Sequence, residues 1–229
     1  MTVLPLPVGV SMPVQDEMSV PSYVSLAQLA EDEGYHTVFF GEIAGGEAMV
    51  TLGAMAQATS RIRLAPGIVS IYTRGPILTG MGFASLASLA PGRIAMGLGT
   101  GSHMIVERWN GGRLEAPLQT MRETVEVLRQ VVRGDRVDFH GERIQAGPYR
   151  LHLPDPHPLP VIIGPFNPRM TQLAEGSRVG AVSRWKRARR VPPADTTPSP
   201  KEMCCSAPVA ASWRTRPSKR NQPGLPVAA

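Results

Sequence analysis

Two apolar stretches between Arg61 and His103 end in the small residue types that surround bound ligands. The first contains Ala-Pro-Gly-Ile-Val at residues 65–69, and the second ends in Gly-Leu-Gly-Thr-Gly at residues 97–101, shortly before His103. A helix-like run of roughly a dozen residues separates them, so the two stretches form one βαβ unit. We therefore expect a ligand where both strands end.

The elements that must position these strand ends alternate along the first 182 residues. Apolar strands are predicted at residues 8–12, 37–40, 63–70, 93–98 and 160–164, and a sixth strand begins at residues 180–182. Helices are predicted at residues 21–33, 47–59, 77–89, 117–133 and 167–175. Residues 137–153 alternate around Gly141 and Gly147 and predict a hairpin insertion after the fourth helix.

Repeated βα units with nearly continuous apolar strands predict an α/β fold whose parallel sheet is covered by helices. A doubly wound sheet would carry a GxGxxG motif after its first strand, and residues 9–13 read Gly-Val-Ser-Met-Pro instead. We therefore predict a (β/α)8 TIM-barrel type of fold that is incomplete, with about five to six βα units. Such barrels bind ligands where strands end. These positions are Ser11, Met12, Gly41, Glu42, and residues 67–70, 97–102 and 164–169.

Composition limits the class of protein. The chain has 229 residues, of which 42% are hydrophobic, and no apolar run approaches the ~18 residues of a membrane span. The first ten residues lack the basic start of a secretory signal, so we expect a cytoplasmic protein. Both cysteines are the adjacent pair Cys204 and Cys205, which provides neither a disulfide framework nor metal-ligand spacing.

The basic charge belongs to the end of the chain. Residues 1–177 contain 13 Arg and no Lys against 16 Asp and Glu, a net charge of −3, whereas residues 178–229 contain 11 Lys and Arg against two acidic residues, a net charge of +9. We expect two parts: a barrel at residues 1–182 and a disordered Pro- and Arg-rich tail at residues 183–229. The tail's composition is typical of out-of-frame translation of a GC-rich gene. A solvated extension and a basic arm that binds nucleic acid are the alternatives.

Several ordered motifs at the strand ends resemble the luciferase-like monooxygenase superfamily of flavin- and deazaflavin-dependent oxidoreductases. They are residues 34–42 (GYHTVFFGE), 61–69 (RIRLAPGIV) with 72–76 (YTRGP), 92–101 (GRIAMGLGTG), and 160–165 (PVIIGP) with 168–170 (PRM). Residues 8–182 carry the resemblance. The Ala-Pro-Gly-Ile-Val and Thr-Arg-x-Pro pair is most similar to the branch that uses coenzyme F420, including reductases of methylene-tetrahydromethanopterin. FMN is the alternative cofactor.

The resemblance implies specific roles for residues at the strand ends. Gly67 and Ile68 would be joined by a non-proline cis peptide whose bulge, with Val69, presses against the deazaflavin ring. The cofactor would also contact Gly97, Gly99, Thr100 and Gly101, where missing side chains let backbone approach the flat ring. Tight packing of this strand against its neighbours is an alternative reason for the glycines.

The resemblance also places the cofactor's phosphate and the substrate. The phosphate would lie at residues 164–169, held by Gly164, Asn167 and Arg169 through backbone N–H groups at a helix start and one guanidinium. Glu42 and His103 are the candidate catalytic residues. For Glu42 the alternative is an ion pair with a neighbouring Arg, and for His103 it is a structural or solvated role.

The implied reaction is hydride transfer between coenzyme F420 and a small organic substrate. An FMN-dependent monooxygenase, a non-catalytic truncated fragment and nucleic-acid binding through the tail are the alternatives. Relatives complete eight strands and are often homodimers, whereas the pattern here stops at the sixth strand. We therefore expect the isolated chain to bind cofactor poorly.

Overall fold

The computed structural model describes residues 8–13, 18–153, 159–164, 168–176, 180–181 and 207–208. Strands and helices alternate, as predicted. The strands are β1 (Val8–Ser11), β2 (Thr37–Phe40), β3 (Arg63–Pro66), β4 (Val69–Ser70), β5 (Met96–Gly99), β6 (Arg136–His140), β7 (Gln145–Arg150), β8 (Val161–Ile163), β9 (Gly180–Ala181) and β10 (Ala207–Pro208). The helices are α1 (Val20–Asp32), α2 (Ala48–Ala58), α3 (Pro76–Leu89), α4 (Pro117–Val132) and α5 (Pro168–Gly176).

Parallel strands form one curved wall in chain order. β1, β2 and β3 pair in parallel, and so do β4, β5, β8 and β9. A parallel bridge between Leu64 and Ile94 connects the two groups. The predicted third strand is thus divided into β3 and β4 around Gly67 and Ile68. The described residues form six strand positions of a (β/α)8-type barrel.

Alternating side chains separate an outer core from a barrel interior. Val38, Phe40 and Leu64 are buried in the large cluster that the helices cover. Phe39 and Ala65, one residue along, belong to a small separate cluster with Ala95 and Ile162. This alternation is expected of a sheet that is closed over on one side by helices and curved around its own interior on the other.

Local sequence fixes the helix ends near the predicted positions. The Ser19 side chain accepts a hydrogen bond from Ser22 N at the start of α1, and Gly34 follows its end with φ +82°. Such a left-handed position favours glycine. Glu47 caps α2, where its Oε2 accepts a hydrogen bond from Val50 N at 2.7 Å.

The predicted hairpin is present as the antiparallel pair β6 and β7. Glu123 of α4 holds its turn, because the carboxylate accepts hydrogen bonds from the backbone N–H groups of Glu142, Arg143 and Ile144 at 2.8–3.0 Å. Burial alone would raise the pKa of Glu123, but these bonds and one from Gln119 hold it below its ordinary value. The hairpin packs against α3 and α4 through a separate cluster that includes Val127, Val131 and Val137.

Two features were not predicted. A π-helical turn, Met104–Trp109, lies in the excursion between β5 and α4, and Ala207–Pro208 pairs antiparallel with Val8 and Gly9. The rest of the predicted tail lies outside the described residues. In the described part of the chain, none of the helices combines the length and apolar character needed to cross a membrane.

Candidate active site

The carboxyl end of the third barrel strand forms the centre of the candidate site. The peptide bond between Gly67 and Ile68 is cis, as the resemblance implies. Gly67 N donates a hydrogen bond to Phe40 O at 2.7 Å, and Ile71 N donates to Gly99 O at 2.9 Å. The bulge is therefore bonded to the strands on both sides.

Glycines on two adjacent strands make the space for Ile68. A Cβ on Gly99 would lie 2.5 Å from Ile68 Cγ1, and one on Gly164 would lie 3.1 Å from Ile68 Cγ2. Real Cβ atoms essentially never lie as close to another atom as 2.5 Å, and 3.1 Å is tighter than most real contacts, so Ile68 occupies the volume that the glycines leave. Its side chain is half-buried. The three residues form a firm seat with an apolar surface.

Other glycines at the strand ends are required for different structural reasons. A Cβ on Gly97 would overlap the Pro66 carbonyl oxygen, so this strand lies too close to β3 for any side chain. The packing alternative therefore accounts for Gly97 and Gly99. Gly101 has φ +71°, a conformation that favours glycine. Val69 is fully buried in the outer core, so only its backbone faces the strand ends.

Hydroxyl groups bond the excursion, which is the loop between β5 and α4 at residues 100–116, to the neighbouring strand β4 and the residues that follow it. Ser70 Oγ donates a hydrogen bond to Thr100 O at 3.0 Å and accepts one from Tyr72 N at 3.2 Å. Tyr72 Oη donates to Glu115 O at 2.5 Å. The start and the end of the excursion are thus held against the chain that follows β4.

Glu42 lies in a cluster of charged side chains, of which the sequence predicted only Glu42 itself as a site residue. Its Oε1 accepts a hydrogen bond from Ala48 N at 3.1 Å and lies 3.5 Å from Arg74 Nη1. The same Arg74 nitrogen lies 2.5 Å from Glu47 Oε1. Glu42 thus has the Arg partner of the alternative interpretation. Arg74 was absent from the candidate list, although the Thr-Arg-x-Pro motif could have identified it.

His103 lies at the surface, with its side chain 75% exposed and Nδ1 3.1 Å from Glu107 Oε2. The hydrogen bond from His103 and another from Leu114 N hold the pKa of Glu107 below its ordinary value. The pair is exposed to water, so His103 has no environment that would prepare it for proton transfer.

The predicted phosphate region is partly described. Gly164 N donates to Leu98 O at 2.9 Å, so this N–H is committed to the sheet and is not available to an anion, contrary to the prediction. Asn167 lies outside the described residues. Arg169, in the first turn of α5, is exposed, and no side chain in the described structure pairs with it. It borders an open cleft with residues 116–119 at the start of α4.

The strand ends therefore bring together most of the predicted cofactor residues. The Ile68 side chain packs directly against Gly99 and Gly164. The other predicted residues nearby in the chain are Gly67, Gly97, Thr100 and Gly101. Glu42 and His103 are held instead by Arg74 and Glu107. The described structure thus provides an apolar seat at the strand ends, while both candidate catalytic residues are paired with neighbouring side chains.

The chain is similar in sequence and in fold to known proteins. The chain is 32% identical over 148 residues to 5,10-methylenetetrahydromethanopterin reductase of Archaeoglobus fulgidus, covering 64% of this chain and 44% of the reductase. It is 35% identical over 125 residues to N-acetyl-S-alkylcysteine monooxygenase of Bacillus subtilis, covering 51% of this chain and 37% of that protein. The structure of coenzyme F420-dependent tetrahydromethanopterin reductase from Methanopyrus kandleri has the same fold, with a TM-score of 0.67 at 24% identity, over 74% of this chain and 53% of that one.

The chain spans about half the length of the curated relatives it matches. Residues 3–178, which contain strands β1 to β8, match the family described as luciferase-like monooxygenase. Because this match extends over most of the chain, the protein belongs to the luciferase-like monooxygenase family.

Proposed function

We propose that this chain carries the cofactor-binding half of an oxidoreductase that transfers a hydride between coenzyme F420 and a small organic substrate. The observation that carries the proposal is the half-buried Ile68 side chain, held between Gly99 and Gly164. Two relatives whose names include F420 dependence, an oxidoreductase and a glucose-6-phosphate dehydrogenase, support the choice of cofactor. FMN is the second candidate, because the family also includes monooxygenases and an FMN complex.

The seat suits a flat ring better than a polar ligand. Ile68 is fixed by contacts on two sides, so it loses little side-chain freedom when a ring packs on it. The peptide groups of Gly99 and Thr100 adjoin it without bulky side chains. In the proposed complex the chain supplies an apolar surface and excludes water from one ring face.

Arg169 is the proposed partner of the cofactor's phosphate. It is exposed and lies beside the first residues of two helices, α4 and α5. Ala116, before α4, has φ +45° and provides no side-chain cap to the first N–H groups of that helix. Helix starts favour anions, and a guanidinium adds charge-assisted hydrogen bonds.

Coenzyme F420 supplies the hydride chemistry when it is bound. The described chain contributes position more than proton transfer, because Glu42 is engaged by Arg74 and Ala48 N. His103 is exposed and paired with Glu107. Little acid or base catalysis is needed for a transfer of hydride between carbon atoms.

The experiment is a fluorescence titration of the full chain with coenzyme F420 and then with FMN. Ile68→Ala is expected to weaken binding about ten-fold, equivalent to ~1.4 kcal/mol of lost apolar contact. Ile77→Ala, at a half-buried isoleucine on α3, is the matched control and should bind like the parent chain. Equal cofactor affinities of the two variants would contradict the proposal that Ile68 contacts the cofactor ring.

Charge is tested separately with Arg169→Ala, which is expected to weaken binding by about ten-fold and to reduce its salt dependence. Arg136→Ala, on the exposed side of the hairpin, is the control. If neither cofactor binds the parent chain, the proposal fails for this chain, and the alternative of a non-catalytic chain is preferred.

A further inference from the structure

The excursion after β5 contains a short segment with unusual geometry. Its π-helical turn, Met104–Trp109, lies between two glycines in the left-handed region, Gly101 at φ +71° and Gly111 at φ +66°. π-helical turns are rare and frequently occur at functional sites. The segment therefore warrants a functional explanation.

Val106 anchors the π-helical turn through its buried side chain and its backbone hydrogen bonds. Its side chain is fully buried, and a Cβ on Gly101 or Gly112 would lie 3.3 Å from one of its methyl carbons. Val106 N donates to Ser102 O at 2.8 Å, and Gly112 N donates to Val106 O at 2.9 Å. Both sides of the turn are thus fixed to the residues that begin and end it.

The polar groups of the turn are mostly committed within the segment. Glu107 bonds to His103 and to Leu114 N, and Asn110 Nδ2 donates to Ile105 O at 2.7 Å. Two large apolar side chains remain outside, with Met104 44% exposed and Trp109 54% exposed. Arg108 is the exposed cation beside them. An exposed tryptophan on a fixed backbone is typical of a binding surface.

The segment continues the proposed cofactor site. It leaves the carboxyl end of β5 at Gly99, and Ser70 Oγ binds Thr100 O just before it. Tyr72 binds Glu115 O just after it. It therefore lies at the ligand end of the barrel and not at the opposite end.

We propose that Met104 and Trp109 determine substrate specificity by contacting the apolar part of the substrate. This inference rests on the proposed function and names the substrate class: a neutral molecule with an alkyl or ring portion. Indole and thioether groups bind such portions through area and polarisable contact, with little entropic cost on a fixed turn. A small charged molecule without an apolar portion gains nothing from this surface.

Saturation-transfer NMR on the full chain tests the inference with cyclohexanone as the apolar probe and the free amino acid glycine as the polar one. We expect transfer to cyclohexanone to fall about five-fold in Trp109→Ala and by a smaller factor in Met104→Ala. Leu89→Ala removes an apolar side chain of similar exposure, 44%, from α3 and should leave the signal unchanged. The glycine probe should show little transfer in every variant.

The experiment is run with and without coenzyme F420, so that the two proposals can fail separately. In one outcome, the cyclohexanone signal is lost in Trp109→Ala although the chain does not bind the cofactor. That result would support substrate contact by Trp109 and would contradict only the proposal that the chain binds coenzyme F420. Equal cyclohexanone signals in Trp109→Ala and the parent chain would overturn the inference. The absence of a cyclohexanone signal in the parent chain would overturn it as well.

Discussion

The two ends of the barrel use charged side chains in opposite ways. At the amino-terminal end, Glu31 accepts hydrogen bonds from the backbone N–H groups of residues 60–62, and Arg93 donates to the carbonyl oxygens of Ala56, Thr59 and Ile62. At the ligand end, Arg74 pairs with Glu42 and Glu47, while Arg169 is exposed. One end is saturated by backbone groups, whereas the other retains side chains that a ligand can engage.

We infer from this difference that the charged side chains at the amino-terminal end stabilise the fold and that those at the other end are available to a ligand. Charges that bond several backbone groups fix the chain, and no ligand can compete for them without unfolding the loop. Arg74 pairs with two carboxylates at a partly exposed site, and an ion pair of this kind contributes less to stability and can exchange partners. The same division is general for barrels of this type. The following substitutions test it, from the largest expected effect to the smallest.

Gly97→Ala should have the largest effect. Its Cβ would overlap the Pro66 carbonyl oxygen, and backbone cannot move aside as a flexible side chain can. We expect a loss of more than about 3 kcal/mol in the free energy of unfolding, measured by urea denaturation. Gly53→Ala is the control, since its Cβ would find ordinary contacts at 3.7 Å and Ala favours a helix. Equal stability of the two variants would contradict the close approach of β3 and β5.

Glu31→Gln should reduce stability by about 2 kcal/mol, because an amide cannot accept from all of the backbone N–H groups. Burial alone would raise the pKa of Glu31, but the hydrogen bonds from residues 60–62 outweigh it and lower the pKa. The stabilisation is therefore present above the unfolded value near 4.3 and is lost as the pH falls through the folded pKa.

Thermal unfolding between pH 3 and pH 7 measures this dependence. The parent chain should lose more stability on acidification than Glu31→Gln, with cofactor affinity at pH 7 unchanged in the folded variant. Glu33→Gln changes the same charge two residues away, where the described structure shows no side-chain bond, and serves as the control. A pH profile of Glu31→Gln identical to the parent's would show that the carboxylate is not engaged.

Arg74→Ala should act on binding more than on stability. It leaves Glu42 and Glu47 without their shared cation, so the loop between β2 and α2 loses one attachment. We expect cofactor affinity to fall about five- to ten-fold and the free energy of unfolding to fall by no more than about 1 kcal/mol. Arg113→Ala provides the control, since the Arg113 side chain is 85% exposed and lies 3.9 Å from Glu115. A larger effect on stability than on affinity would reverse the assignment.

His103→Ala should have the smallest effect. The side chain is exposed and its pair with Glu107 is in water, so stability should change by less than about 0.5 kcal/mol. Cofactor affinity should not change. A loss of two orders of magnitude in turnover, with unchanged affinity, would instead show that His103 is a catalytic residue.

The sequence predicted the elements well and the side-chain partners poorly. Apolar periodicity and turn residues gave the strands, the helices and the hairpin, because these depend on local patterns. The carboxylate partners of Arg74 and the backbone partners of Glu31 and Glu123 named above lie 19 to 32 residues away in the chain. A local motif can single out a residue such as Arg74, but it does not show which distant residue that side chain contacts. The π-helical turn was also missed, since a single added residue in a turn leaves no periodic signal.

The hairpin formed by β6 and β7 has a consequence for engineering. It packs on α3 and α4 through its own apolar cluster, and the Glu123 carboxylate of α4 holds its turn, so the hairpin is separate from the strand ends proposed to bind the cofactor. Side chains can therefore be exchanged on its outer face without disturbing Ile68 or Arg74. Single substitutions, such as a cysteine for labelling, would be tolerated best at exposed strand positions such as Arg136 and Gln145, whereas an insertion within residues 145–150 would break the pairing of β6 with β7.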